Sequence, residues 1–209
     1  MTLYLSWIVA SAIGTLATGA IYCERGINGI FVLGAAIGVG QAVVLVAAWG
    51  PRMLAWPAVT WVSVLMGSLF AWGAAILWFL MTASVGALLG VKATVQSPAW
   101  VDALVAVLFV ATFVVGALTA GVIVGGSQAA YAAGVGHRIV GWTRATSVSA
   151  IALVPLTQVV MPLVFTSGAS CELQGFFGTP VGWVTCGSLY GAITGIVLAR
   201  SPDRRSTFA

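Results

Sequence analysis

Polar side chains recur at a fixed spacing inside otherwise apolar stretches of this sequence. The segments GAAIGVGQ (34–41), GVIVGGSQ (121–128) and, more loosely, GSLYGAIT (187–194) all read G-x-x-x-G-x-x-[Q/T]. On a helix, positions four and three residues apart fall within an arc of about 60°. Each copy therefore places two glycines and one hydrogen-bonding side chain on a single stripe. The nine residues are Gly34, Gly38, Gln41, Gly121, Gly125, Gln128, Gly187, Gly191 and Thr194.

Two interpretations of these stripes follow from helix chemistry in lipid. Helices in a bilayer associate through close backbone approach over small residues and through interhelical hydrogen bonds. The stripes are therefore predicted to be packing seams between helices. In the alternative, Gln41, Gln128 and Thr194 line a central ligand site.

His137, in GVGHRIVGW, is the only histidine of the chain. A neutral imidazole could serve as an axial ligand to a haem or chlorophyll-type macrocycle. A histidine beside Arg138 could equally be an ordinary residue facing lipid headgroups. Nothing in the sequence requires a cofactor.

The cysteines also allow two interpretations. Cys171 and Cys186 could form a disulfide in an oxidising compartment. Both could instead be free thiols that pack as small apolar residues.

Groups that carry enzymatic chemistry are scarce. The chain has four Asp and Glu residues, and none is securely placed inside an apolar stretch. A phosphate-binding loop followed by Lys-Ser/Thr, a histidine pair with metal-ligand spacing and a C-x-x-C motif are all missing from the sequence. We therefore expect no catalytic residues, no metal site and no enzymatic activity.

Composition predicts an all-α membrane protein. The sequence is 61% hydrophobic and 6% charged, whereas soluble domains are about 25% charged. A spanning helix needs about 20 apolar residues. Six stretches meet this requirement, at residues 3–22, 29–49, 57–80, 101–134, 147–165 and 181–199.

The fourth stretch is too long for a simple crossing. At ~1.5 Å per residue it would reach ~51 Å, against a hydrocarbon core of ~30 Å. The third stretch also stays apolar as far as Leu89. We expect a long helical hairpin that projects past the bilayer and is tipped by GVKATVQSPAW; a kink or re-entrant piece near residues 116–121 is the alternative.

Basic residues predict the orientation. Six of the eight Lys and Arg residues fall on the side shared by the N-terminus, the 2–3 and 4–5 connections and the C-terminal tail. Cytoplasmic loops carry such an excess, so both termini are predicted to be cytoplasmic. Tryptophans at stretch ends are expected in the headgroup region; these are Trp7, Trp49, Trp56 and Trp100.

The repeated motif also predicts the architecture. R-x-x-x-W follows the first two copies, as Arg52 to Trp56 and Arg138 to Trp142. Parallel repeats of this kind suggest pseudo-threefold symmetry about an axis along the membrane normal. We therefore predict one transmembrane domain, residues 1–209, made of three parallel hairpins at roughly 1–56, 57–142 and 143–209. Over about two thirds of its length the chain resembles a loose group of uncharacterised multi-pass bacterial membrane proteins with repeated G-x-x-x-G-x-x-Q helices, which implies repeated hairpins and no catalytic residue.

Two classes of function agree with these features. The first is a structural or accessory subunit of a larger membrane complex, bioenergetic for example, that packs against other helices, lipids or pigments. The second is a small transporter or membrane-embedded binding component for a neutral or apolar solute. Expected partners are the lipid bilayer of the inner or plasma membrane and other membrane subunits. The net charge of +4 is explained by orientation and does not indicate nucleic-acid binding.

Overall fold

The computed structural model describes residues 2–25, 30–88, 99–155 and 180–201, and these residues form helices and short connections without a strand. A short 3-10 helix, Pro51–Ala55, joins the second and third α-helices. The six α-helices are α1 (Thr2–Arg25), α2 (Ile30–Trp49), α3 (Trp56–Leu88), α4 (Ala99–Gly134), α5 (Trp142–Pro155) and α6 (Pro180–Ala199).

Four helical stretches are long and apolar enough to cross a membrane by length and composition. They are Thr2–Ile21, Pro51–Met81, Ala106–Gly134 and Pro180–Ala199. A fifth apolar helical stretch, Gly34–Trp49, is shorter. The predicted all-helical class is therefore confirmed, and the apolar helices are consistent with a membrane protein.

The described helix ends lie within three residues of the predicted bounds, except at the end of α3, which continues to Leu88 instead of 80, and at α5. This helix begins at Trp142, five residues before the predicted start at 147. The polar residues of WTRAT lower the hydropathy there, although Ala145 N–H already donates to the Gly141 carbonyl at 2.9 Å and begins the helical pattern. Of the predicted span 147–165, residues 156–165 lie outside the described part of the chain.

Successive helices pack side by side, and the last helix returns to the first. Contacts join α1 to α2, α2 to α3, α3 to α4, α4 to α5 and α5 to α6, and α6 also packs along α1. The six helices therefore form a closed ring.

Helices α3 and α4 extend beyond their neighbours. α1 ends at Arg25, 18 residues after Trp7, whereas α3 continues to Leu88, 32 residues after Trp56. At ~1.5 Å per residue the difference is about 20 Å. We call residues 75–88 and 99–113 the α3–α4 arm. α4 is one continuous helix, so the alternative of a re-entrant piece near residues 116–121 is wrong, whereas a kink there stays a prediction.

Buried apolar residues concentrate at the end of the ring where α1, α3 and α5 begin. Large side chains with almost no exposed surface include three tryptophans, from α1, α3 and α5. The cluster consists of Trp7, Ala42, Leu45, Met53, Trp56, Ala132, Ile139, Trp142 and Leu198. Among the described residues, the buried apolar core therefore lies at this end, away from the arm.

Candidate functional site

Three tryptophans meet at the centre of the buried end. Trp7, Trp56 and Trp142 are at most 1% exposed. Their ring centroids lie 6.4 Å (Trp7 to Trp56), 5.6 Å (Trp7 to Trp142) and 6.0 Å (Trp56 to Trp142) apart, each pair edge to face at 71–73°. Aromatic rings favour this geometry because the positive edge of one ring meets the negative face of the next. The headgroup placement predicted for Trp7 and Trp56 is therefore wrong: both indoles are enclosed by the chain.

Each indole of this tryptophan cluster donates its N–H to the polar residue of one motif copy. Trp56 Nε1 donates to Gln41 Oε1 at 3.1 Å, and Trp142 Nε1 donates to Gln128 Oε1 at 2.9 Å. In the third copy, Trp7 Nε1 donates to Thr194 Oγ1 at 2.9 Å. All three acceptors are fully buried, so the last position of the motif is where an indole is held.

The glutamine amides also reach back to the preceding odd-numbered helix. Gln41 Nε2 donates to Ser11 Oγ at 3.2 Å, and Gln128 Nε2 donates to Thr60 Oγ1 at 3.0 Å. Ser11 and Thr60 each follow a cluster tryptophan by four residues. One glutamine therefore bridges the two helices that flank its own.

The third copy achieves the same bridge with two residues. Thr194 is too short to reach both neighbours. Tyr190, one helical turn earlier, has its hydroxyl close to the side chains of Thr146, which follows Trp142 by four residues, and of Gln41. The tyrosine thus replaces the amide of a glutamine and connects the third set of contacts to the first.

The six motif glycines pack against the backbone of the next odd-numbered helix. A Cβ built on any of them would lie 2.6–2.8 Å from a Cα atom of that helix, closer than real side chains approach. The contacted residues follow each cluster tryptophan by one and five positions. The pairs are Gly34 with Trp61, Gly38 with Pro57, Gly121 with Ser147, Gly125 with Thr143, Gly187 with Ala12 and Gly191 with Ile8.

The polar residues of the three motif copies lie around a common centre. Gln41, Gln128 and Thr194 surround one tryptophan cluster, but each bonds a different indole. Their hydrogen bonds run to residues on neighbouring helices, apart from that of the Thr194 hydroxyl, which donates to the Tyr190 carbonyl of its own helix at 2.7 Å. Such contacts are those of helix packing, and a ligand at this position would have to compete with them.

The sequence analysis did not identify the residues that bond to the motif side chains. Ser11, Thr60, Thr146 and Tyr190 carry hydrogen bonds that it did not assign. The signal was present as W-x-x-x-[S/T] at residues 7–11, 56–60 and 142–146. It was overlooked because tryptophans at helix ends are usually interfacial anchors.

The two connections that contain R-x-x-x-W share a glycine of positive φ. Gly50 and Gly136 each precede a cluster tryptophan by six residues and adopt φ values of 94° and 95°, which glycine adopts readily because it has no Cβ. Met53 and Ile139 then turn inward and are buried. The connections thus bring each tryptophan to the centre.

His137 lies on the second of these connections. Its ring stacks on Trp49, with centroids 4.7 Å apart and planes 7° apart. Both line a cavity of about 120 Å³ with Arg138 and Ser201. Typical small-molecule sites enclose about 300–1,000 Å³, so the cavity as it stands does not enclose a macrocycle, and the ligand role of His137 stays a prediction.

The remaining sequence predictions concern cysteine and metal chemistry. Cys186 is buried on α6 and its thiol is free in this structure, as the alternative of unpaired cysteines expects; Cys171 lies outside the described residues. Across 2–25, 30–88, 99–155 and 180–201, no three His, Cys, Asp or Glu side chains group to hold a metal ion.

Comparison of the chain with protein-family models, with curated proteins and with solved structures gave no match. The contacts described above are therefore the basis for a functional proposal.

Proposed function

We propose that the chain is a non-enzymatic integral membrane protein, and that it serves as a structural or accessory subunit of a larger membrane complex. Its six helices form three parallel hairpins in a single transmembrane domain. Support for the hairpins comes from the recurrence of one set of contacts: an indole bound to the motif's polar residue, and two glycines against the following helix.

The proposed orientation places the tryptophan cluster on the cytoplasmic side. Arg52 and Arg138 lie on the connections at that end, and Arg200 follows α6 there. An excess of basic residues is typical of cytoplasmic loops. Both termini are then cytoplasmic, in the inner or plasma membrane.

The observation that carries the subunit proposal is the exposed apolar surface of α3 and α4. Only 6% of the most apolar 18 residues of α3 and 12% of those of α4 are buried within the chain, against 33% in α1 and 39% in α6. Leu77 and Met81 on α3 and Val107 on α4 are each 64% exposed. The two longest helices are therefore less covered by their own chain than α1 and α6 are.

Length supports a protein partner for part of this surface. α3 has 33 residues and α4 has 36, which correspond to about 50 and 54 Å at ~1.5 Å per residue. Accommodating them in a ~30 Å core would need more tilt than the usual 0–40°. The start of α3 at Pro57 also packs closely against Gly38 of α2, so α3 cannot tilt independently of α2. An apolar arm that leaves the bilayer needs helices of another subunit to cover it.

The polar network argues against the alternative of a transporter for a neutral or apolar solute. Such a protein would need polar groups accessible at mid-depth. Gln41, Gln128 and Thr194 are instead fully buried and bonded to the three indoles. The alternative is tested by changing Gln41 and Gln128 to leucine in reconstituted vesicles: loss of uptake of a neutral solute would favour it.

A photo-crosslinking experiment tests the subunit proposal. A photoreactive amino acid is placed at Leu77 or Val107 in the arm, and at Val43 on α2, which is equally exposed at 68%. In native membranes we expect protein adducts from the two arm positions and only lipid adducts from Val43. Gentle extraction followed by native mass spectrometry then gives the partner's mass.

Two results would contradict the proposal. One is a chain that is extracted as a colourless monomer without other subunits. The other is the absence of protein adducts at both arm positions while the Val43 control reacts with lipid.

A further inference from the structure

The cavity beside His137 lies where one helix of each hairpin ends. Trp49 is the last residue of α2, Gly136 and His137 follow α4, and Ser201 follows α6. The cavity is thus at the cytoplasmic end of the proposed bundle, between the tryptophan cluster and the cytoplasm. It is separate from the arm and plays no part in the subunit proposal.

The lining of this cavity is basic. Arg138, an exposed residue, is one of the residues that line it, and Arg200 directly precedes Ser201 in the sequence. Of the carboxylate residues in the described ranges, Glu24 lies near the end of α1 and Asp102 near the start of α4. Both positions are at the opposite end of their helices, so within the described chain no carboxylate neutralises Arg138.

The cavity also offers one neutral donor. The stack on Trp49 covers one face of the His137 imidazole and leaves its nitrogens at the ring edge. The Ser201 hydroxyl is already used, because it donates to the Val197 carbonyl at 3.0 Å. An arginine beside an imidazole N–H is chemistry that recognises a phosphate group.

Helix C-termini carry partial negative charge, which opposes an anion. At α4 this effect is reduced because the last carbonyls are already occupied. His137 N–H donates to the Ala132 carbonyl at 2.8 Å, and Gly136 N–H donates to the Ala133 carbonyl at 3.1 Å, which is the Schellman arrangement. The partial negative charge that remains at the end of α4 disfavours an anion. Anion binding therefore depends on the positive charge of Arg138.

We propose that this cavity binds a phosphate group. The phosphate belongs to an anionic lipid headgroup or is free in the cytoplasm; basic pockets between membrane helices on the cytoplasmic side bind lipid headgroups in this way. The volume of about 120 Å³ suits a phosphate group.

Lipid binding to the purified full-length chain tests the lipid source. Native mass spectrometry compares retention of dioleoylphosphatidylglycerol and dioleoylphosphatidylcholine. Arg138→Gln is expected to weaken phosphatidylglycerol binding about tenfold, because a hydrogen bond to a charged group is lost. Arg144→Gln is the matched control: it removes the same charge from an exposed residue of α5 that does not line the cavity, and we expect a change of less than about twofold.

Calorimetry with inorganic phosphate tests the free source. Binding by the wild-type chain without lipid, lost in Arg138→Gln, assigns the site to free phosphate; binding of phosphatidylglycerol alone assigns it to lipid. His137→Asn serves as a second variant and should weaken either ligand. Equal loss in Arg138→Gln and Arg144→Gln, or unchanged binding in Arg138→Gln, would overturn the proposal, as would a wild-type chain that prefers neither phosphatidylglycerol nor phosphate.

Discussion

Gln128 joins three helices through one side chain. Its Oε1 accepts from Trp142 on α5, and its Nε2 donates to Thr60 on α3. The residue is fully buried, so water cannot replace either partner. Interhelical hydrogen bonds in membranes contribute about 0.6 kcal/mol each on average, and up to ~1.7.

Replacing Gln128 by leucine should therefore destabilise the fold. The change removes two hydrogen bonds and leaves the indole N–H of Trp142 without an acceptor, a loss of about 1–3 kcal/mol in the free energy of unfolding. Reversible unfolding by sodium dodecyl sulfate in mixed micelles, followed by circular dichroism, measures it.

Ser127→Ala is the control for this change. Ser127 is exposed and its hydroxyl donates only to the Ile123 carbonyl of its own helix, so we expect a change within about 0.5 kcal/mol. If Gln128→Leu were as mild as this control, the hydrogen bonds of Gln128 would not stabilise the fold.

Residue types explain which part of the site could be predicted from the sequence. Gly-x-x-x-Gly-x-x-Gln marks a helix stripe in any context, so the acceptor half was found. Tyr190 could not be found in this way, because a tyrosine one turn before a threonine resembles a glutamine only after the helices are assembled. Whether these side chains bond one another depends on their lengths and on the distances between helices, which a sequence pattern does not contain.

At the scale of helices, small residues set the distances in the ring. Gly125 and Gly126 are neighbours on α4, but a Cβ on Gly125 would lie 2.8 Å from Thr143 Cα, whereas one on Gly126 would meet nothing within 4 Å. Comparing substitutions at these two positions therefore separates the effect of packing on stability from that of helix propensity.

We predict opposite outcomes for alanine at these two positions. Gly125→Ala should push α4 and α5 apart and lower the free energy of unfolding by about 1–3 kcal/mol. Gly126→Ala should leave it unchanged or raise it by at most about 1 kcal/mol. The same detergent unfolding measures both variants. Equal effects would mean that close contact at Gly125 does not hold the helices together.

Hydropathy located most helices because few charged residues interrupt the apolar stretches. It failed at the start of α5, where Arg144 and the hydroxyls of Thr143 and Thr146 lower the local average. In the structure Thr146 donates to the Trp142 carbonyl at 3.0 Å, so its polar group is satisfied within the helix. A residue scale that counts hydroxyls as polar cannot anticipate this local bond.

At the scale of the whole molecule, the proposed orientation makes a prediction for chemical labelling. In a cysteine-free background, Arg144→Cys should react with a membrane-impermeant maleimide only after the cells are permeabilised. Lys92→Cys should react in intact cells, because it lies on the predicted outer side. The reverse pattern would place the tryptophan cluster on the outer face.

The ring arrangement as a whole was only partly visible in the sequence. The repeated stripe suggested three equivalent hairpins, but it could not identify which helix each stripe contacts. The structure places α6 against α1, a contact between opposite ends of the chain that no local pattern encodes.

The bond between Trp7 and Thr194 spans 187 residues of sequence. A chain made from its N-terminus exposes Trp7 long before its acceptor exists, although Ser11 can meet Gln41 as soon as α2 follows. Closing so long a loop is slow relative to pairing adjacent helices. The bond between Trp7 and Thr194 therefore forms only after α6 has been made, and a ribosome that stalls before α6 leaves an open arc of helices in place of a ring.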